Sequence, residues 1–144
     1  MSQRFLIVAA KFNELITKSL VQAASEVFEN AGLKAQLDTI WVPGAFELPV
    51  VATKAARNGR YSAVICLGAV IRGETPHFDY VAGPCASALM NISVQTGIPV
   101  IFGVLTTDTV EQALNRAGLK HGNKGADAAQ TALTMVATLK CLDS

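Results

Sequence analysis

Ala63-Val64-Ile65-Cys66-Leu67-Gly68-Ala69-Val70 holds no charge, no polar side chain beyond one thiol, and no alternation of polar with apolar. A strand of this kind is buried on both faces, as in a parallel sheet covered by helices on each side. Working outward, strand-length apolar runs alternate with helix-length segments. Phe5–Ala10 precedes Ile16, Leu20, Ala23, Val27 and Ala31, a three-to-four spacing that Gly32 closes. Leu37–Val42 is a second strand. A helix follows from about Phe46, with Pro49 in its first turn and Asn58-Gly59 at its end. Helical spacing resumes after Asp79 and lasts to Gly97, and Pro99–Leu105 is the fourth strand. Pro84, if inside that helix, removes a hydrogen bond and bends it. Asp108 and Glu111 read as a capping box for a short helix stopped by Gly118, and a last helix starts near Asn123. Right-handed crossovers make this an α/β fold, a four-stranded parallel sheet flanked by helices. With no linker, repeat or low-complexity tract, residues 1–144 are expected to form one domain.

Composition narrows the function classes. A formal charge of +1 with no basic cluster argues against nucleic-acid binding. Charged residues are 16% of the chain, against roughly 25% for an ordinary soluble domain. No apolar run approaches the roughly 20 residues that cross a bilayer, so no membrane association is expected. A domain of this size leaves about 30% of its unfolded-chain surface exposed, so further copies of the chain are expected to cover the apolar excess. Phe5–Ala10 is too short and too early for a signal-peptide core. Cys66, Cys85 and Cys141 are an odd number with no C-x-x-C pair. Neither a disulfide framework nor a structural zinc is expected, and a reducing cytoplasm fits.

In open parallel sheets, ligands bind beyond the carboxyl ends of the strands. Here those loops are Lys11-Phe12-Asn13, Pro43–Glu47, Ile71–His77 and Thr106-Thr107-Asp108, and they are rich in aromatic and polar residues. No G-x-G-x-x-G follows strand one, and neither a G-x-S-x-G elbow nor an H-E-x-x-H motif occurs. Gly68 to Gly73 has the glycine spacing of a P-loop, but Glu74 stands where its lysine belongs, which argues against an ATP site. Gly73-Glu74-Thr75 can still present backbone N–H groups to a phosphate at a helix start, or be an ordinary turn. His77 follows directly, and an imidazole can give and take protons near neutral pH. It can equally be a solvated capping residue. His121, between glycine-flanked turns, reads as an ordinary loop residue. Phe12 can stack on a planar ring or staple a helix. Glu47 can accept from ligand hydroxyls or favour a helix N-terminus. Arg116 and Lys120 suit either carbonyl capping or an anion clamp.

Together these segments resemble 6,7-dimethyl-8-ribityllumazine synthases. The likeness is carried by Phe12-Asn13, Trp41–Pro49, Gly68–Tyr80, Gly103–Thr107, Glu111–Gly118 and Gly122–Gly125, in order from about residue 4 to the final helix. The resemblance implies a three-layer flavodoxin-like fold. It also implies condensation of 5-amino-6-(D-ribitylamino)uracil with 3,4-dihydroxy-2-butanone 4-phosphate, without a cofactor or metal. On that pattern Phe12 and Asn13 meet the pyrimidine, while Ala45, Phe46 and Glu47 hold the ribityl chain. Ala69, Val70 and Ile71 line the ring edge. Gly73, Glu74 and Thr75 cradle the phosphate with Arg116, with the Glu74 carboxylate turned away from it. His77 shuttles protons.

The resemblance further implies sites between subunits of a pentamer, with Phe102, Arg116, Lys120 and Lys124 reaching a neighbour. Many bacterial relatives build a hollow sixty-subunit shell. The uninterrupted Leu119–Lys124 turn fits a shell, whereas the short segment before strand one lacks the extra strand of many shell formers. Riboflavin synthase is a further partner that the resemblance allows. Two rival readings are a non-catalytic lumazine- or flavin-binding shell protein, and a riboflavin synthase-like enzyme on the same scaffold. Phe12, Glu47, His77 and Arg116 together speak against the first, and the anion site against the second.

Overall fold

In the computed structural model, which describes residues 3–143, strand β1 (Phe5–Ala10) is buried along its whole length. Helices on both faces of the sheet account for this. Side chains alternate along a strand, so Leu6, Val8 and Ala10 enter one core and Phe5, Ile7 and Ala9 the other. β2 (Leu37–Val42), β3 (Ala63–Ile71) and β4 (Val100–Thr107) complete a sheet of order β2-β1-β3-β4 with every pairing parallel. That is the flavodoxin-like order through its fourth strand. Phe5 sits opposite Leu37 and Ala63, and Val64 opposite Val100.

Helices α1 (Glu14–Asn30), α4 (Val110–Arg116) and α5 (Lys124–Leu142) cover one face, and α2 (Leu48–Arg57) and α3 (His77–Thr96) the other. Three layers result, as the apolar strands predict. Phe5 meets Phe28 of α1 with ring centroids 4.9 Å apart, and both rings are fully buried. Burying such a side chain is worth about 1.5–3 kcal/mol. Gly125 lets α5 lie directly on α1, because a Cβ there would strike the backbone of Leu20. Asn123 starts α5 by accepting from the N–H groups of Gly125 and Ala126 at 2.8 and 3.2 Å.

Several boundaries move. β3 runs to Ile71 and β4 to Thr107, while α3 begins at His77 rather than after Asp79. Pro76 sets this start, since its fixed φ suits the position just before the first turn. The capping box is displaced by one residue. Thr109, not Asp108, is the N-cap of α4 and accepts from the Gln112 N–H at 3.1 Å, while the Gln112 side chain accepts from the Asp108 N–H at 2.8 Å. Pro84 lies inside α3, and the helix continues through it to Thr96.

At the far end of the sheet Arg4 donates to Asp38 at 2.7 Å, and the Tyr61 hydroxyl donates to the same carboxylate at 2.9 Å. These two donors hold the Asp38 carboxyl below its usual range, Arg4 foremost. Burial pushes the Cys66 thiol far up and the Cys85 thiol to about 11. No described helix is long and apolar enough to cross a membrane.

Candidate active site

Backbone hydrogen bonds bring the loops beyond β1 and β2 together. Lys11 N donates to Val42 O at 2.8 Å and Phe12 N to Pro43 O at 3.0 Å, which sets the Phe12 ring beside Gly44–Glu47. Asn13 takes the left-handed conformation, with φ 62°, that asparagine tolerates better than most residues. Its side-chain amide donates to Ala69 O at 2.9 Å, tying the β1 loop to β3. Gly44 matters for space. A Cβ there would stand 3.3 Å from Glu47 Oε1, so the glycine leaves room for that carboxylate. Ala45–Glu47 forms a 3-10 turn that feeds directly into α2.

These loops enclose a cavity of about 640 Å³. Phe12, Asn13, Ala45, Phe46, Glu47, Ala69, Val70, Ile71 and His77 all line it, so nine expected residues converge on one place. Phe12 and Phe46 are 63% and 66% exposed, which leaves their rings available to a planar ligand. Glu47 brings the carboxylate. His77 is the first residue of α3, and its backbone N–H points at Thr75 Oγ1, 3.4 Å away. Among the described residues its imidazole has no hydrogen-bond partner, so both nitrogens are open to a ligand. Pro43 and Gly44 of the expected β2 loop also line the cavity, as do Tyr80 and Val81, which were not anticipated. Tyr80 had a signal: it lies three residues after His77, hence on the same helix face.

The other expected site residues lie elsewhere. Gly73, Glu74 and Thr75 form an exposed turn outside the cavity. Among the described residues their backbone N–H groups meet no protein acceptor, which fits an anion cradle. Phe102, Arg116 and Lys124 line a second pocket of about 370 Å³ between β4, α4 and α5. Arg116 Nη1 donates to Gln112 O at 3.0 Å, leaving its other donors free for a ligand. His121, expected to be an ordinary loop residue, lines this pocket too, as does Asp127. Lys120 is exposed on the same turn and does not line the pocket. No lining residue is common to the two pockets. Among the described residues no three His, Cys, Asp or Glu cluster as metal ligands.

A family model described as 6,7-dimethyl-8-ribityllumazine synthase matches residues 2–140. The chain belongs to that family. A lumazine synthase relative from Protochlamydia amoebophila (strain UWE25), named 6,7-dimethyl-8-ribityllumazine synthase, is 52% identical over 134 residues. The alignment covers 92% of this chain and 78% of the relative. Every cavity-lining residue named above falls inside the stretch that the lumazine synthase model matches.

Proposed function

We propose that the chain condenses 5-amino-6-(D-ribitylamino)uracil with 3,4-dihydroxy-2-butanone 4-phosphate to 6,7-dimethyl-8-ribityllumazine, releasing phosphate and water. This is the penultimate step of riboflavin biosynthesis and needs no cofactor. One observation carries the reading: a stacking ring, a carboxylate and an open imidazole face one cavity in a chain of this family. A protein that only bound lumazine would have no need of the imidazole.

Phe12 stacks on the pyrimidine, a contact worth roughly 1–3 kcal/mol in comparable base–aromatic pairs. Asn13 spends its N–H on Ala69 and keeps its oxygen to accept from the ring. The backbone of Ala69, Val70 and Ile71 meets the ring edge. Ala45, Phe46 and Glu47 hold the ribityl chain, with Glu47 accepting from its hydroxyls. Gly73, Glu74 and Thr75 cradle the phosphate through main-chain donors. His77 moves protons as the amine attacks the ketone, as phosphate leaves and as the ring closes. Such help is worth about 10²–10⁴ in rate. Holding two substrates in contact supplies much of the rest.

An adjacent subunit completes the site, with Arg116 at the phosphate, Phe102 and Lys124 at the ribitylaminouracil and Lys120 beside them. This accounts for two half-equipped pockets in one chain. The assembly is a pentamer of one-domain subunits (residues 1–144), open to further closure into a sixty-subunit shell. It works in the cytoplasm, where riboflavin synthase would take up its product.

The test mixes the purified chain with both substrates and follows lumazine absorbance and phosphate release together. Equal rates of the two are expected. No product from this pairing contradicts the reading, and turnover of lumazine alone points to riboflavin synthase-like chemistry.

A further inference from the structure

Arg72 stands between the end of β3 and the Gly73–Thr75 turn, where a cation invites the role of a phosphate ligand. Its geometry says otherwise. The guanidinium carbon lies 4.3 Å from the centroid of the Phe78 ring. Nε donates to Asp108 Oδ1 at 2.9 Å, and Nη1 is 3.6 Å from Asp79 Oδ1. The backbone N–H of the same residue donates to Thr107 O at 2.8 Å. Phe78 and Asp79 directly follow His77 in the first turn of α3, whereas Thr107 and Asp108 end β4 and lead into α4. One side chain thus joins the His77 turn to the β4–α4 loop.

Within the chain that turn is otherwise held by Asp79 N donating to Pro76 O at 3.0 Å and by Phe78 and Val81 on the core. Pro76 provides no side-chain cap, and the contact from the His77 N–H to Thr75 is long at 3.4 Å. Pro84 removes a further donor from the same helix. The charges point the same way. Arg72 is already paired with Asp79 and Asp108, so its charge is engaged within the chain rather than held open for a phosphate. Lysine could not do the same work, because the arrangement uses a planar group that stacks on a ring and forks between two acids.

We infer that Arg72 is a positioning residue, which fixes the imidazole of His77 against the cavity by clamping the first turn of α3 to the β4–α4 loop. The inference rests on the proton-shuttle reading of His77 given above. The ion pairs are about half exposed, and exposed pairs add little to stability. Losing the clamp therefore misplaces His77 rather than unfolding the chain.

Steady-state kinetics on the full chain test this, with both substrates varied. Arg72→Ala and Arg72→Lys are each expected to lower kcat roughly 10- to 100-fold, the penalty of a misplaced catalytic group. KM for either substrate should change less than about threefold, since ground-state binding is untouched. The double variant Arg72→Ala, His77→Ala should be no slower than His77→Ala alone, because nothing is left to position. A raised KM for the butanone phosphate with kcat retained, or full rescue by Arg72→Lys, would make Arg72 an anion ligand and overturn the inference. So would a double variant slower by the product of the single losses. If Arg72→Ala does not fold, Asp108→Asn carries the test, with a smaller loss of kcat expected and an unchanged kcat contradicting it. Absence of turnover in the unmutated chain would instead overturn the function reading, and the clamp's role with it.

Discussion

The two pockets that hold the expected site residues differ in what they offer a ligand. The larger, beyond β1, β2 and β3, is walled by aromatic and aliphatic side chains and has one carboxylate, one histidine and no arginine or lysine. The smaller, between β4, α4 and α5, gathers Arg116, His121 and Lys124 around Asp127. The first suits a planar ring bearing hydroxyls. The second suits an anion. A reaction that joins a pyrimidine to a sugar phosphate needs both, and a single chain keeps them apart.

The largest effect should come from the base. His77→Ala is expected to slow kcat by about 10²–10⁴ without abolishing turnover, because proximity still operates. Full wild-type turnover in that variant would remove the base from the first pocket. Arg116→Ala should act on the other pocket alone. Losing a hydrogen bond to a charged group costs about 1.5–3 kcal/mol, seen as a higher KM for the butanone phosphate and an unchanged KM for the uracil. Phe12→Ala should show the mirror image, roughly 1–3 kcal/mol weaker binding of the uracil alone. An equal loss for both substrates in either variant would break the division of labour.

Asp38→Asn, at the opposite end of the sheet, should alter neither KM. Its effect is on stability. The Asp38 carboxyl titrates below its unfolded value near 4. It therefore stabilises the fold above about pH 4, and this contribution is lost as pH falls through the folded value. The variant should be slightly less stable at pH 7 and equal to wild type once the carboxyl is protonated. Denaturation across pH 2–7 reads this directly.

The sheet was legible because its two inner strands are apolar on both faces, which only a helix-covered parallel sheet tolerates. The helix starts were less so. Thr109 and Asp108 are both good caps, and tertiary structure chose between them by diverting Asp108 to Arg72. Nine expected contacts share one cavity because loops beyond adjacent parallel strands converge. Tyr80 and Val81 were missed because the helix was read as starting after Asp79, which left His77 outside it and hid their three- and four-residue spacing from it. The Asn13 bond to Ala69 spans 56 residues and leaves no local trace. His121 looked like loop punctuation until its turn was anchored to α4 by its own N–H, 2.6 Å from Asn115 O.

In the proposed assembly one working site takes its ring and base from one subunit and its cations from the next. Co-assembly of His77→Ala chains with Arg116→Ala chains tests it most directly. In a ring of head-to-tail contacts, random mixing at equal ratio leaves about a quarter of the sites with both residues intact. With the butanone phosphate held well below its wild-type KM, mixed assemblies should therefore recover about a quarter of wild-type turnover, far above either variant alone. If turnover stays at the level of the two separate variants, each site belongs to a single chain and the account is wrong.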